Sequence, residues 1–495
     1  MSETAEAQAT HERILWTQEF SSGIDAPVVA SDGTLFALDA EGHGLLWAIA
    51  SDGTILARTA IKRHNFTALL IGDQGVVYVA GDTALGVDAQ GHYPIITYLY
   101  AFNSAGTELW RQRLLPEGRT SRYGYGSRIA LGSRGELLVG AYGDSVLYSV
   151  SPAGVPQWQL RLPSGICELA VGSDGTVYVC AAGGVYGVAP DGRLTWQWLS
   201  ERPLQRQMAL DGSGNVVVFA SNVEGSLSPG GLFSVDAQGC LRGQVDLAES
   251  PYLHSSPVID ADGNILFLEP PAYYGQTMPM SILHSVTHAG NSYWRLPLVS
   301  EGFSALAVGA DETVYVVGEE NDHAVLYALD SVGGRERWSI EGLGGDQLTL
   351  SEAGVLYLPM GKYLYAIQTD SPGLADSPWP VPRADPRHTG RVSGPATAVL
   401  ETEQGGLPVA CRLGPSYPNP FNAGMVIPFE LPTAGPAEVR VYDLLGQEVA
   451  LLAKGWFAAG RHQVRWEPQG QGSAVYLCRL ATPTVSSVQR LVLVK

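Results

Sequence analysis

The sequence predicts an all-β protein: a β-propeller of eight blades, with seven as the alternative, followed by a small β-sandwich. Three observations predict it. Among 495 residues there are 59 Gly and 31 Pro without a Gly-X-Y period, which leaves little room for long helices. A repeat of roughly 40–50 residues carries four short strand patterns per copy, the period of propeller blades. After residue 410 the pattern changes to about seven strands of alternating apolar residues within one small module.

Hydrophobic residues make up 45% of the chain, too many for intrinsic disorder, and charged residues only 16%. The net charge is −19, so the surface repels phosphate and a nucleic-acid partner is not expected. No apolar run is long enough for a membrane-spanning helix. Cys167, Cys180, Cys240, Cys411 and Cys478 include no Cys-x-x-Cys pair, so neither a zinc site nor a disulfide framework is indicated.

Residues 1–10 have no strand period and are expected to be disordered; the propeller is expected over 11–380. Ile14-Leu-Trp-Thr-Gln-Glu-Phe20 has the pattern of a fourth blade strand but no hairpin before it. It is expected to complete the last blade and close the ring. Hairpins such as Pro27–Phe36, Leu169–Tyr178 and Pro257–Leu266 centre on Asp-Gly, read as two-residue type I′ turns. A third strand follows each of eight hairpins: Leu45–Ile49, Leu99–Phe102, Leu147–Val150, Val185–Val188, Leu232–Val235, Leu283–Val286, Leu326–Leu329 and Leu364–Ile367. The fourth strand then carries a tryptophan: Trp16, Trp110, Trp158, Trp196, Trp294 and Trp338, with Ala57 and Gly243 at the two remaining positions.

Ala328-Leu-Asp330-Ser-Val-Gly-Gly334-Arg-Glu-Arg-Trp338 resembles the A-x-D-x-x-x-G-x-x-x-W docking motif of quinoprotein-type, PQQ-like propeller repeats. The resemblance implies that these tryptophans dock one blade on the next. It implies a fold rather than an activity, since one fold hosts many functions. Quinoprotein dehydrogenases of this repeat type hold their quinone against a vicinal disulfide, beside calcium and a catalytic Asp. Neither adjacent cysteines nor a calcium set is recognised here, so no cofactor is expected. The nucleophile elbow, the H-E-x-x-H motif and the Gly-Lys-Ser/Thr phosphate loop do not occur. A polysaccharide-lyase site built from scattered residues escapes a motif search and stays an alternative.

Asp260-Ala-Asp262-Gly-Asn264 offers carboxylates for calcium but sits where sister repeats place a turn, and is read as one. Cys167 and Cys180 are read as buried thiols on one hairpin, and His254, His284 and His288 as packed or solvated rather than metal ligands. Three loops between second and third strands are long: Gly81–Tyr98, Ser221–Gly231 and Glu269–Ser281. With the inter-blade segment Arg119–Tyr125 they place Tyr93, Tyr123, Tyr125, Tyr273 and Tyr274 on one candidate ligand face. Tyrosines there suit sugar rings or protein surfaces, offering contact area at low entropic cost.

Residues 381–410 read as a linker, polar and aperiodic in its later part; the block Trp379-Pro-Val-Pro-Arg-Ala-Asp-Pro-Arg-His-Thr-Gly390 where it begins resembles a W-P-x-x-R-x-D-x-x-H-T-G segment often found beside such propellers. The strands over 411–495 read as an immunoglobulin-like sandwich. Tyr417-Pro418-Asn419-Pro420-Phe421-Asn422, Tyr442-Asp443 with Gly446, and a final apolar strand ending at Lys495 resemble the C-terminal sorting domain of type IX secretion cargo, which is similar to the flagellar hook-capping immunoglobulin-like domain. Ala423-Gly-Met425 replaces the usual Pro-Ser/Thr-Thr. This module carries eight Lys/Arg against five Asp/Glu, leaving −22 on the remainder, as suits a part with its own docking partner.

The resemblance implies a secreted or outer-membrane-surface bacterial protein whose partners are the secretion machinery and a glycan or protein ligand. A monomer is expected. The N-terminus shows neither a basic n-region nor an apolar h-region, and the expectation is a start downstream of a signal peptide. The alternatives are a propeller enzyme, as a quinone-dependent dehydrogenase or polysaccharide lyase, and an envelope assembly scaffold binding peptides by strand addition at blade edges.

Overall fold

Short β-branched and aromatic runs punctuated by Gly turns fold as antiparallel meanders, and the computed structural model contains eight of them among the described residues of 1–395, the first of two units; the second is 396–495. The structure describes residues 13–39, 44–61, 65–84, 93–114, 120–121, 126–141, 145–220, 230–247, 255–269, 280–299, 305–320, 323–345 and 347–392, and most of 412–494. Every regular element among them is a strand, and no helix is long and apolar enough to cross a membrane.

Sheet I runs Val28–Val29, Leu35–Leu38, Leu45–Ile49, Ile55–Ala60, paired in that order. Sheets II to VII begin with Asn65–Ile71, Ser127–Leu131, Ile166–Val171, Leu204–Leu210, Val258–Ile259 and Leu306–Val308. Sheet VIII takes Thr349–Leu350, Val355–Met360 and Tyr363–Gln368 from the end of the unit and Ile14–Glu19 from its beginning. Within it Trp16 pairs with Ala366 and Glu19 with Tyr363. A sheet apolar on both faces must be covered on both faces, so each stacks on its neighbours. One cluster joins Phe36 and Leu46 of sheet I to Tyr100 and Phe102 of sheet II, and another joins Tyr357 and Leu364 of sheet VIII back to Leu35 and Trp47 of sheet I. The unit is a β-propeller.

Side chains from the fourth strands latch each sheet to the next. Trp110 Nε1 donates to the Pro152 carbonyl at 2.9 Å, Trp158 to Pro190 at 3.2 Å, Trp294 to Ser331 at 2.5 Å and Trp16 to Ser51 at 2.7 Å. Trp338 donates to an Asp370 carboxylate oxygen at 2.9 Å, and the Trp196 ring lies under Gly239. The two positions without tryptophan are latched differently. Beside Ala57, the Thr59 hydroxyl donates to the Gly106 carbonyl at 2.7 Å. Beside Gly243 the next sheet reaches backwards: His288 Nδ1 lies 2.9 Å from Ser234 Oγ, and Nε2 lies 3.3 Å from Asp211 Oδ2.

The structure corrects three expectations. The Asp-Gly hairpins are not two-residue type I′ turns. Gly33 N donates to the Ala30 carbonyl, Ala30 N to the Thr34 carbonyl, and only the glycine has positive φ, at 83°. This is a type I turn followed by a left-handed glycine, and Asp32 accepts the Thr34 amide at 2.9 Å. Much of the loop Gly81–Tyr98 is strand, because Val77–Ala84 and Tyr93–Phe102 stay paired out to Ala84 and Ile95. Finally, residues 381–392 are not linker: they pack inside the first unit, while 393–410 lie outside the described residues.

In the second unit, Arg412–Leu413, Met425–Leu431 and Gly460–Trp466 form one sheet. Glu448–Phe457, Gly435–Tyr442, Ala474–Ala481 and Ser486–Leu493 form the other. Ile427, Phe429 and Trp466 of the first meet Val439, Val441, Cys478 and Leu491 of the second in one core.

Candidate ligand-binding site

The first strand of each sheet in the first unit has a free edge, and amides there need acceptors. The segment after sheet VIII supplies them. Ile259 N and Val308 N donate to the carbonyls of Trp379 and Pro380, then Val29 N to Pro386, Ile71 N to Arg387, Leu131 N to Thr389 and Val171 N to Gly390, all at 2.8–2.9 Å. Four successive sheets, I to IV, are thus served in order by a stretch of five residues. Curling so tightly places Arg383, Ala384 and His388 at positive φ of 65°, 76° and 56°. Asp385 holds the curl: its carboxylate accepts from the Arg387 and Thr389 amides at 3.1 Å and from the Thr389 hydroxyl at 2.7 Å. Trp379 is fully buried, and Arg391 pairs with Asp73. The block Trp379–Gly390 is therefore an axial plug.

The plug meets the last residue of each inner strand it touches. Three residues earlier in those strands, or just ahead of them, the axis is open. Ala26, Ala68, Arg128, Glu168, Gln207, Ser256, Ala305 and Gln347, one from each sheet in turn, line a cavity of about 410 Å³ floored by Pro382, Arg383 and His388. The size falls within the range of about 300–1,000 Å³ usual for small-molecule sites. The ring of eight is polar from sheet III to sheet VI and at sheet VIII, and carries alanine elsewhere.

Its charged groups form one network. Glu168 accepts Arg383 Nη1 at 2.9 Å and lies 3.2 Å from Arg128 Nε, so two guanidinium groups share one carboxylate. Arg383 also reaches the carbonyls of Ile129 and His388. Arg206 comes from a stretch of Leu204–Leu210 that leaves its register with the neighbouring strand between Leu204 and Met208, and this irregularity lets Arg206 and Gln207 line the cavity. Arg206 approaches Gly126, where a β-carbon would stand 3.4 Å from its guanidinium. Behind Gly126, Asp82 accepts the Gly126 and Ser127 amides and the Thr97 and Ser127 hydroxyls at 2.6–3.1 Å, fixing the wall. Burial, then the positive charge of Arg383, pull the His388 pKa down to about 3, so its imidazole is neutral.

Tyr123, Tyr125, Tyr273 and Tyr274 lie outside the described residues, as does the Tyr93 side chain. The backbone does bring two of the predicted segments together, since Ser121 pairs with Tyr93. Asp260 is a turn residue, accepting the Asn264 amide at 2.7 Å, and His284 stacks on Phe267 and pairs with Glu269 at 2.7 Å. Cys167 and Cys180 are buried thiols, and the contact with Cys167, with burial, raises the Cys180 pKa. His254 and Cys411 lie outside the described residues; among those described no cluster of metal-ligating side chains occurs.

In the second unit, Tyr417, Pro418, Asn419, Pro420, Gly446 and Lys495 lie outside the described residues. Phe421 is buried against Trp466; its amide donates to Val492, and Val494 N donates back to its carbonyl. Asn422 is exposed beside it. Asp443 closes a turn by accepting the Gln447 amide at 2.8 Å, next to Tyr442.

Residues 97–270 match the family model described as Outer membrane protein assembly factor BamB. No curated protein matches the chain. Among solved structures, Sqt1 of Saccharomyces cerevisiae is 10% identical, with a TM-score of 0.53 over 72% of this chain and 99% of that one. The virginiamycin B lyase of Staphylococcus aureus is 11% identical, TM-score 0.41, over 72% and 99%. The Pan2 WD40 domain of Neurospora crassa is 9% identical, TM-score 0.40, over 62% and 91%. At these identities the likeness is one of fold.

Proposed function

We propose that this chain is a secreted or surface-exposed bacterial binding protein. In this reading the eight sheets are eight blades of a quinoprotein-like propeller, closed by Ile14–Glu19, and the fourth-strand tryptophans are its docking residues. The observation that carries the reading is the axial cavity, closed at one end by the plug and lined by one residue from every sheet. Preformed concavities with a few convergent polar groups are where ligands bind. The long loops predicted to carry Tyr93, Tyr123, Tyr125, Tyr273 and Tyr274 join strand ends such as Glu269 and Ala220, which by topology lie towards the open end.

The second unit is proposed to be an immunoglobulin-like domain that directs type IX export and surface anchoring. Support comes from the seating of Phe421 on the final strand, which joins the two ends of the sorting motif. Cell fractionation of the native host, with intact mass of the recovered protein, tests this. A surface or medium species lacking about the last 80 residues is expected; a full-length cytoplasmic species would sink the export reading.

A further inference from the structure

We infer that the axial cavity takes an uncharged, polyhydroxylated ligand the size of one sugar ring, hydrogen-bonded by Ser256, Gln347 and His388. The ligand class rests on the reading of the cavity as a binding site. Two observations carry it: which polar groups of the lining are already engaged, and how the others alternate with apolar ones.

The ionic groups of the lining are engaged within the protein. Glu168 stands between Arg128 and Arg383, and Arg383 also donates to the carbonyls of Ile129 and His388. Asp25 and Arg206 have partners of their own, so none of these charges is left alone. Three uncharged groups are in the opposite condition. Gln347 Oε1 accepts the Ala26 amide at 3.0 Å, which fixes the carboxamide and leaves its two N–H donors to the cavity. The Ser256 hydroxyl and the His388 imidazole line the same cavity, and neither makes a hydrogen bond with any described residue. A wholly apolar ligand would strip water from all three and return no hydrogen bond.

Around the ring from sheet VI to sheet II the lining runs Ser256, Ala305, Gln347, Ala26 and Ala68, so hydroxyl and carboxamide are separated by methyl groups. Leu38, Leu69 and Pro382 add further apolar surface. A sugar ring has the matching pattern, C–H edges between hydroxyls. Each of its hydroxyls both donates and accepts, as do the serine hydroxyl and an uncharged imidazole, while the carboxamide N–H groups supply donors. His388 is held at positive φ by the plug, so its ring is fixed on the cavity floor. The net charge of −19 neither attracts nor repels an uncharged ligand, and its affinity should not depend on salt.

The test is titration of the full chain, followed by ligand NMR, with glucose, galactose and mannose, and with glucuronate and cyclohexanol as charged and apolar counterparts. At least one neutral sugar is expected to bind about fivefold or more tighter than either counterpart, equally at low and high salt. Gln347→Glu keeps an acceptor for the Ala26 amide but replaces the two donors, and Ser256→Ala removes the hydroxyl; each should weaken the sugar about fivefold or more. His388→Asn, which tolerates positive φ, should weaken it as well. Melting curves report whether each variant is folded. The methyl glycosides of the same sugars separate the sources: retained binding marks the end residue of a glycan, and lost binding marks a free sugar. Glucuronate or cyclohexanol binding as tightly as the sugars, and weakened by the same variants, would overturn the ligand class while leaving the cavity a binding site. Binding that is unchanged in the folded variants, or no binding of any probe, overturns both.

Discussion

Glu168 and Arg383 are 215 residues apart and meet at 2.9 Å, joining the inner strand of sheet IV to the axial plug. The same carboxylate lies 3.2 Å from Arg128 on sheet III, so a single acid neutralises cations from two other elements. Removing one partner of a buried ion pair leaves a charge without compensation.

Glu168→Gln should therefore destabilise the first unit by on the order of 3 kcal/mol, more than loss of an exposed pair such as Arg193–Asp191. Urea denaturation followed by tryptophan fluorescence measures it. Equal midpoints for Glu168→Gln and Asp191→Asn would count against the network.

The plug makes residues 377–392 part of the propeller. A chain ending at Pro395 is expected to give a cooperative unfolding transition and resist limited proteolysis. A chain ending at Asp376 leaves inner-strand amides of six sheets without acceptors and loses the Trp379 side chain from the core. It should be cleaved readily under the same protease exposure. Equal resistance of the two would show the segment to be an ornament.

His388 sets a pH dependence. In the unfolded chain it titrates near the ordinary histidine value of about 6.5, but in the folded protein only near about 3. Between those values the unfolded chain binds the extra proton, so stability falls as pH falls, with a slope approaching about 1.4 kcal/mol per pH unit from this one group. Above about pH 6.5 both states are neutral and the contribution to the slope vanishes. Comparing native protein with His388→Asn between pH 4 and 7, an interval of about three units, isolates it; parallel stability curves would refute it.

Gly243, in the fourth strand of sheet V, and Gly212, in the turn between its first two strands, separate packing from backbone freedom, since neither has positive φ. A β-carbon at Gly243 would stand 2.5 Å from the Ala289 carbonyl carbon and 2.6 Å from the His288 carbonyl oxygen, whereas at Gly212 it meets nothing within 4 Å. Gly243→Ala should cost about 1–3 kcal/mol, and Gly212→Ala should be neutral or stabilise by up to about 1 kcal/mol. Thermal melts of the two variants provide the comparison.

Much of the propeller was legible because its strands repeat. All eight third-strand patterns, from Leu45–Ile49 to Leu364–Ile367, are strands, and the tryptophan positions are where sheets latch. The plug was not legible from periodicity, since its partners are backbone amides scattered over the whole unit and its own side chains follow no strand or helix rhythm. Thr59 and His288 do the tryptophan's work from positions outside its fourth-strand pattern, so that pattern does not point to them as latches. The cavity residues Arg128, Glu168 and Gln207 stand in separate repeats with no motif spacing between them. Superimposing the repeats on the last residue of each inner strand would have found them: at three residues upstream, charge and amide groups replace the alanine seen at 26, 68 and 305.

Because successive carbonyls of Pro386 to Gly390 fall in step with sheets I to IV, the plug acts as a gauge of ring circumference. A duplicated or deleted repeat would change the angle between sheets and throw the plug out of step with every edge beyond the change. A stretch that is itself unrepeated thereby holds the number of repeats constant, and the chain can drift in any one of them more easily than it can gain or lose one.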